Sequence, residues 1–211
     1  MTATLPHPRT SPDHIVLHDV SWRLYELLLE EVGDSHLRIT YDRGRLEIMS
    51  PRPEHEMRKR WIGMLIELIT LERDIPFATL GSTTWRREDL QKGLEPDECY
   101  YIQNELLIRG RNDIDLTRDP PPDLVVEIDI THHEIDREAI YAAIGVPEIW
   151  RDNGSAVEFL ELTPEGAYRR RETSVAFPDI SAADLNRFLS LFQKHDHTTA
   201  RRMFVDWLRQ K

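Results

Sequence analysis

Three carboxylates stand where apolar strands would bury them. Leu124-Val-Val-Glu-Ile-Asp-Ile alternates so that Val125, Glu127 and Asp129 share one face, while Val126, Ile128 and Ile130 share the other. Burying an acid without compensation is costly, so Glu127 and Asp129 each need an ion pair, hydrogen bonds or a metal ion. Asp97 follows Pro96 at the start of an earlier extended run, Asp97-Glu-Cys-Tyr-Tyr. If that run pairs beside Glu127, the backbones lie about 4.7–4.9 Å apart and the two carboxylates converge. Oxygen donors of this kind suit Mg2+ or Mn2+ better than zinc. Pairing with arginine, or hydrogen bonding at strand ends, satisfies the same acids without a metal.

Other polar residues crowd the same segments. Glu54 and Glu56 flank His55 at the start of a long helix, where acids also suit the positive end of the helix dipole. His55 is placed either to bond a site carboxylate or to close a helical turn. His132 and His133 follow the acidic strand as neighbours, a spacing better suited to a solvated loop than to joint ligation of one ion. Asp123, after three prolines, is suited to fixing its own loop through an Asx-type turn.

These residues have to be positioned by elements that the pattern makes visible. Residues 1–18 hold three prolines and little periodicity, and read as a loosely held arm. Ser21 caps a helix ending at Gly33, with Trp22, Tyr25, Leu28 and Leu29 on its apolar face. Alternation on both sides of Asp42-Arg43-Gly44 predicts a hairpin. A helix of about five turns by its ~3.6-residue period follows Pro53 and stops before Pro76, its apolar face carrying Trp61, Leu65, Leu68 and Leu71. Short strands around Gly81, the Asp97 run and an irregular stretch from Asn104 to Asp119 lead into the acidic strand, then an amphipathic helix and a second strand through Trp150. Ala156–Leu162 and Tyr168–Thr173 alternate as a hairpin across Thr163-Pro-Glu-Gly166, and two helices close the chain, from Ser181 to about Gln193 and from Thr198 to Lys211. No repeat or compositional break divides the 211 residues, which favours one domain with its last helices over 181–211.

Composition narrows the classes. No apolar run approaches the ~18 residues a membrane helix needs, and no basic-then-apolar leader opens the chain, so a cytoplasmic location is expected. The lone Cys99 can form no internal disulfide and reads as a buried structural thiol. Thirty-eight acids against 27 Lys and Arg give a net charge of −11, which argues against general polyanion binding but leaves room for a local basic rim. Arg58-Lys59-Arg60 and Arg86-Arg87 adjoin the segments framing the acids; Arg169-Arg-Arg171 and Arg201-Arg202 lie further off in sequence.

Taken in order, Leu46-Glu-Ile-Met-Ser-Pro51 with His55, Gly81-Ser-Thr-Thr84, Gly93-Leu-Glu-Pro-Asp97, Pro122-Asp-Leu-Val-Val-Glu127 and Tyr141-Ala-Ala-Ile-Gly-Val-Pro-Glu-Ile-Trp150 resemble the Uma-two family of the PD-(D/E)XK nuclease superfamily, over about Trp22 to Leu162. The resemblance implies an α/β fold with a restriction-endonuclease-like core, a mixed central sheet flanked by helices. It implies a Mg2+-dependent (or Mn2+-dependent) endonuclease acting on nucleic acid, DNA rather than RNA, working as a homodimer. Asp97 and Glu127 would hold the metal. The family's lysine, four residues before Tyr141, would fall at position 137, where this chain has Arg137. Arginine keeps the charge but is no proton acceptor. Only Lys59, Lys92, Lys194 and Lys211 exist as lysines, and Lys59 or Lys92 would need the fold to bring them in. The alternative is a catalytically silent nuclease-fold module for binding or assembly, and the apolar face of the last helix (Phe204, Trp207, Leu208) offers a surface for pairing.

Overall fold

The computed structural model describes residues 14–33, 35, 37–130 and 133–211. In chain order the elements are strand β1 (His14–Leu17), helix α1 (Trp22–Val32), β2 (Arg38–Asp42), β3 (Arg45–Met49), α2 (Pro53–Glu72), β4 (Ala78–Thr79), β5 (Trp85–Arg87), β6 (Lys92–Leu94), β7 (Glu98–Tyr101), α3 (Glu105–Ile108), β8 (Leu124–Ile128), α4 (Arg137–Ile144), β9 (Glu148–Asp152), β10 (Val157–Leu162), β11 (Tyr168–Arg171), α5 (Ala182–Leu189) and α6 (His197–Leu208). Two sheets result. One is antiparallel, in the order β1-β3-β2-β6-β5; the other runs β11-β10-β9-β8-β7-β4 and is mixed, with β8 and β9 parallel.

Local chemistry sets the boundaries. Ser21 Oγ accepts the Leu24 amide at 3.2 Å and caps α1. Arg43 and Gly44 both have positive φ, the requirement of the tight turn joining β2 to β3. The Asp136 carboxylate accepts the Ala139 amide at 3.1 Å to start α4, and Gly145, at φ +91°, ends it. Helix α4 is thus the crossover that parallel pairing of β8 with β9 demands.

The period-2 reading of β8 holds. Val126 and Ile128 pack with α2, Trp150, Phe159, α5 and α6; Val125 packs on the opposite face with Ile140, Tyr141 and Ile149. Both faces of the mixed sheet are therefore covered, and Glu127 lies on the α4 face. A third cluster joins Tyr25 of α1 to Tyr41 and Leu46 of the β2–β3 hairpin.

Three expectations change. The loosely held arm does not extend to residue 18: His14–Leu17 add an edge strand to β3, from His14↔Met49 to Leu17↔Leu46, because the backbone edge that β2 leaves open on β3 is satisfied there; residues 1–13 lie outside the described ones. Leu71 is 71% exposed, since α2 buries Ile62, Ile66 and Ile69 as well as Trp61 and Leu65 and its contact face ends before Leu71. Most of the apolar face of α6 turns inward, with Phe204 and Leu208 buried in the core shared with α2 and α5 and Trp207 partly buried against it, so that face is not free as a whole for pairing. Among the described residues no helix is long and apolar enough to cross a membrane.

Candidate active site

The β7–β8 ladder pairs Glu98 with Val126 and Cys99 with Val125, so that Asp97, just before β7, comes to the end of β8 that carries Glu127. Both carboxylates are buried, and Asp97 is tied to the strand that carries Glu127: the Asp97 amide donates to Val126 O at 3.2 Å and the Ile128 amide to Asp97 Oδ2 at 2.7 Å. Sheet register thus brings Asp97 and Glu127 to the same end of the mixed sheet.

Each acid has its own cationic or donor partners. His55 Nε2 lies 3.1 Å from Asp97 Oδ2, off the line of a hydrogen bond, and His55 Nδ1 lies 3.7 Å from Glu56 Oε1. Burial works to raise the Asp97 carboxyl and to lower the His55 imidazole, but their mutual attraction prevails: Asp97 sits below the usual aspartate range and His55 above the usual histidine range. Arg137, the first residue of α4, forks onto Glu127, Nε to Oε2 at 3.0 Å and Nη2 to Oε1 at 2.8 Å. Its Nη1 donates to Thr40 Oγ1 of β2 at 2.7 Å and its Nη2 also to Glu95 O at 2.6 Å. The Tyr141 hydroxyl, one turn along α4, donates to Glu127 Oε1. Burial, with the nearby Asp97 charge, pushes the Glu127 carboxyl above the ordinary glutamate range against the pull of Arg137. Burial also raises the Tyr141 phenol, and the Glu127 charge adds to this.

A cavity of about 320 Å³ is lined by Glu127, Arg137 and Tyr141, with Asp129, Asp136, Glu138, Arg151 and His133 among its other walls. Asp129 is exposed at the rim and does not join Asp97 and Glu127. His133 turns to the antiparallel sheet, 3.6 Å from Glu47 Oε1; His132 lies outside the described residues. The Glu47 carboxylate also accepts the Glu134 and Ile135 amides, each at 3.3 Å, and so ties the loop before α4 to β3. Asp123 fixes a neighbouring loop, not its own, accepting the Ile102 and Asn104 amides at 2.7 and 2.9 Å. Glu54 is exposed and Glu56 pairs with Lys59 at 3.0 Å. Lys92 is taken up by Asp42 at 2.7 Å, so neither lysine replaces Arg137 at Glu127. Of the basic clusters, Arg58 is locked on Asp152 and Arg87 on Asp89, leaving Arg60 and Arg86 exposed.

Tyr141, Thr40 and Glu47 received no role from sequence. Tyr141 opens the Tyr141–Trp150 motif and lies one helical turn from position 137, a spacing that could have linked it to Glu127. Thr40 is 97 residues from Arg137 in sequence, and no local pattern connects them.

A family model described as "Putative restriction endonuclease", Uma2, matches residues 22–191. The chain belongs to the Uma2 family. Its fold is similar to the crystal structure of "a putative nuclease belonging to DUF820" from Anabaena variabilis ATCC 29413, at a TM-score of 0.50 and 14% identity over 75% of this chain and 95% of that one. At that identity the likeness speaks to the fold alone, a restriction-endonuclease-like core with its mixed sheet flanked by helices. No curated protein matches the sequence.

Restriction-endonuclease-like folds generally use divalent metals, so the Uma2 site has to be tested against one. Among the described residues no group of three or more His, Cys, Asp or Glu side chains could hold an ion. Mg2+, however, commonly takes one or two carboxylates and completes its shell with water and substrate phosphate oxygens. The hard oxygens of Asp97, just before β7, and Glu127, on β8, fit that chemistry; Arg137 at present claims both Glu127 oxygens.

Proposed function

We propose that this Uma2 protein hydrolyses nucleic-acid phosphodiesters, DNA in preference to RNA, at the Asp97–Glu127 pair, with Mg2+ or Mn2+ as cofactor. What supports this reading is that two buried carboxylates, Asp97 and Glu127, lie at the same end of the β7–β8 ladder with Glu127 lining a cavity, in a family whose description is "Putative restriction endonuclease". A bound divalent ion would orient and activate water and offset charge developing on the phosphate. The chain's own residues do the rest. The Ile128 amide and His55 hold Asp97 ionised and in place; Tyr141 orients Glu127. Arg137 presents a planar cation able to grip phosphate oxygens, and Arg60 and Arg86 supply exposed positive charge for the flanking backbone. Arg137 cannot accept the proton of an attacking water, so that proton must pass to a carboxylate or to solvent.

The second reading, a silent binding or assembly module, is favoured by one observation: the Arg137 fork leaves neither Glu127 oxygen free. Incubating plasmid, single-stranded DNA and RNA with the full chain and Mg2+ or Mn2+ separates the two. The proposal expects metal-dependent cleavage of DNA that Glu127→Gln abolishes. No cleavage, or cleavage indifferent to Glu127→Gln, refutes it; a protein that stays inactive even as Arg137→Lys supports the silent module.

A further inference from the structure

We infer that Arg137 is a built-in cation occupying the charge position at Glu127, so that a divalent ion engages the acidic pair only in exchange for this guanidinium. The inference rests on the reading of Asp97 and Glu127 as metal ligands. Four of the five N–H groups of a guanidinium are used here: Nε and one Nη2 hydrogen on Glu127, one Nη1 hydrogen on Thr40 and the other Nη2 hydrogen on Glu95 O. These partners belong to β2, to the turn before Asp97 and to β8, so three separate segments hold the fork in register. Glu127 is thereby neutralised and both its oxygens are engaged.

Lysine at the same place would act differently. A compact ammonium contacts one oxygen at a time and cannot reproduce the planar fork, which leaves the other Glu127 oxygen available. The cavity beside the site also gives a displaced guanidinium somewhere to go. Its walls carry Asp129 and Asp136, both exposed, and a substrate phosphate entering there would supply a further anion. Glu138 is less available, since it already pairs with Arg151.

Mn2+ binding, followed by electron paramagnetic resonance without nucleic acid, tests the exchange in the full chain. Arg137→Lys is expected to bind Mn2+ at least tenfold more tightly than the parent, and Arg137→Lys with Glu127→Gln to lose that gain. Equal Glu127-dependent affinity in parent and Arg137→Lys overturns the inference while sparing the metal assignment. Binding indifferent to Glu127→Gln in both backgrounds overturns the assignment and the inference together. Should Arg137→Lys not fold, the parent decides: the Arg137 Nε–H resonance is expected to shift as Mg2+ saturates the protein, and a resonance that stays fixed at saturation overturns the exchange.

Discussion

Removing Glu127 with alanine should damage the fold before it reports on chemistry. Glu127→Ala takes from Arg137 its counter-charge and two hydrogen bonds while the guanidinium stays buried, its side chain 10% exposed. Breaking a buried pair from one side costs about 3–5 kcal/mol. Thr40 and Glu95 O still receive the guanidinium, which favours the lower end, whereas Tyr141 loses its acceptor, which adds about 1 kcal/mol. A total near 4 kcal/mol is a large part of the ~5–15 kcal/mol by which a folded protein is stable. The reverse substitution should be milder. Arg137→Met strands a carboxyl that burial already pushes above its usual range and that can take up a proton, an escape that arginine lacks. Its cost should therefore shrink on acidification. Glu127→Leu with Arg137→Met removes both charges and should recover most of the loss, because apolar replacements of buried pairs are commonly neutral or stabilising. Urea unfolding of Glu127→Ala, and of Glu127→Leu and Arg137→Met singly and together, with slopes compared, measures the coupling. Costs below about 1 kcal/mol for Glu127→Ala, or a double variant whose loss equals the sum of the singles, would refute a buried, mutually neutralising pair. The same reasoning is why Glu127→Gln, not alanine, belongs in the cleavage assay.

Glu47 should confer an acid-side dependence on stability. Burial works to raise its carboxyl, but His133 and the Glu134 and Ile135 amides outweigh it and hold it below the ordinary range. A depressed folded value contributes stability above the unfolded one, about 4.3 for glutamate, and loses it as pH falls through the folded one. The stability gap between the parent and Glu47→Gln, measured by urea unfolding from pH 6 downward, should accordingly narrow below that point; a constant gap contradicts the assignment. Gly93→Ala should overpack the α1–hairpin junction, since a Cβ there would come within 2.8 Å of Tyr25 Cζ and 2.9 Å of its Cε1 in a fully buried ring. A loss of about 1–3 kcal/mol is expected. Among the described residues Tyr25 Oη has no hydrogen-bond partner, so adding Tyr25→Phe should restore part of the melting temperature, and a double variant no more stable than Gly93→Ala would show the contact to be harmless.

What could be read from the chain was whatever had a short period. Alternation in β8 assigned Val126 and Ile128 to one face and Val125 and Glu127 to the other, and the two clusters lie where it put them. Ser21 and Ser181 announced the helices they cap, and Asp42-Arg43-Gly44 its turn. The joining of the two sheets had no such signal. The five-stranded sheet is stitched to the mixed one through single long-range contacts, Glu47 to the loop before α4 and Thr40 to Arg137, with partners 87 to 97 residues apart. Leu71 failed for a related reason: helical period marks a stripe, but where the stripe stops is decided by the length of sheet beneath it.

Position 137 shows how the two kinds of information meet. Against the family pattern, arginine in place of lysine reads as a lost proton acceptor with its charge retained. The structure adds shape to charge. A fork that meets both oxygens of one carboxylate, while Thr40 and Glu95 O hold its remaining edge, is a geometry that lysine could not adopt. On the proposed reading the substitution therefore bears on cation entry as well as on proton transfer, and the two effects separate experimentally. A change in proton transfer alters cleavage and leaves Mn2+ affinity alone, whereas exchange with Arg137 alters Mn2+ affinity before any substrate is added.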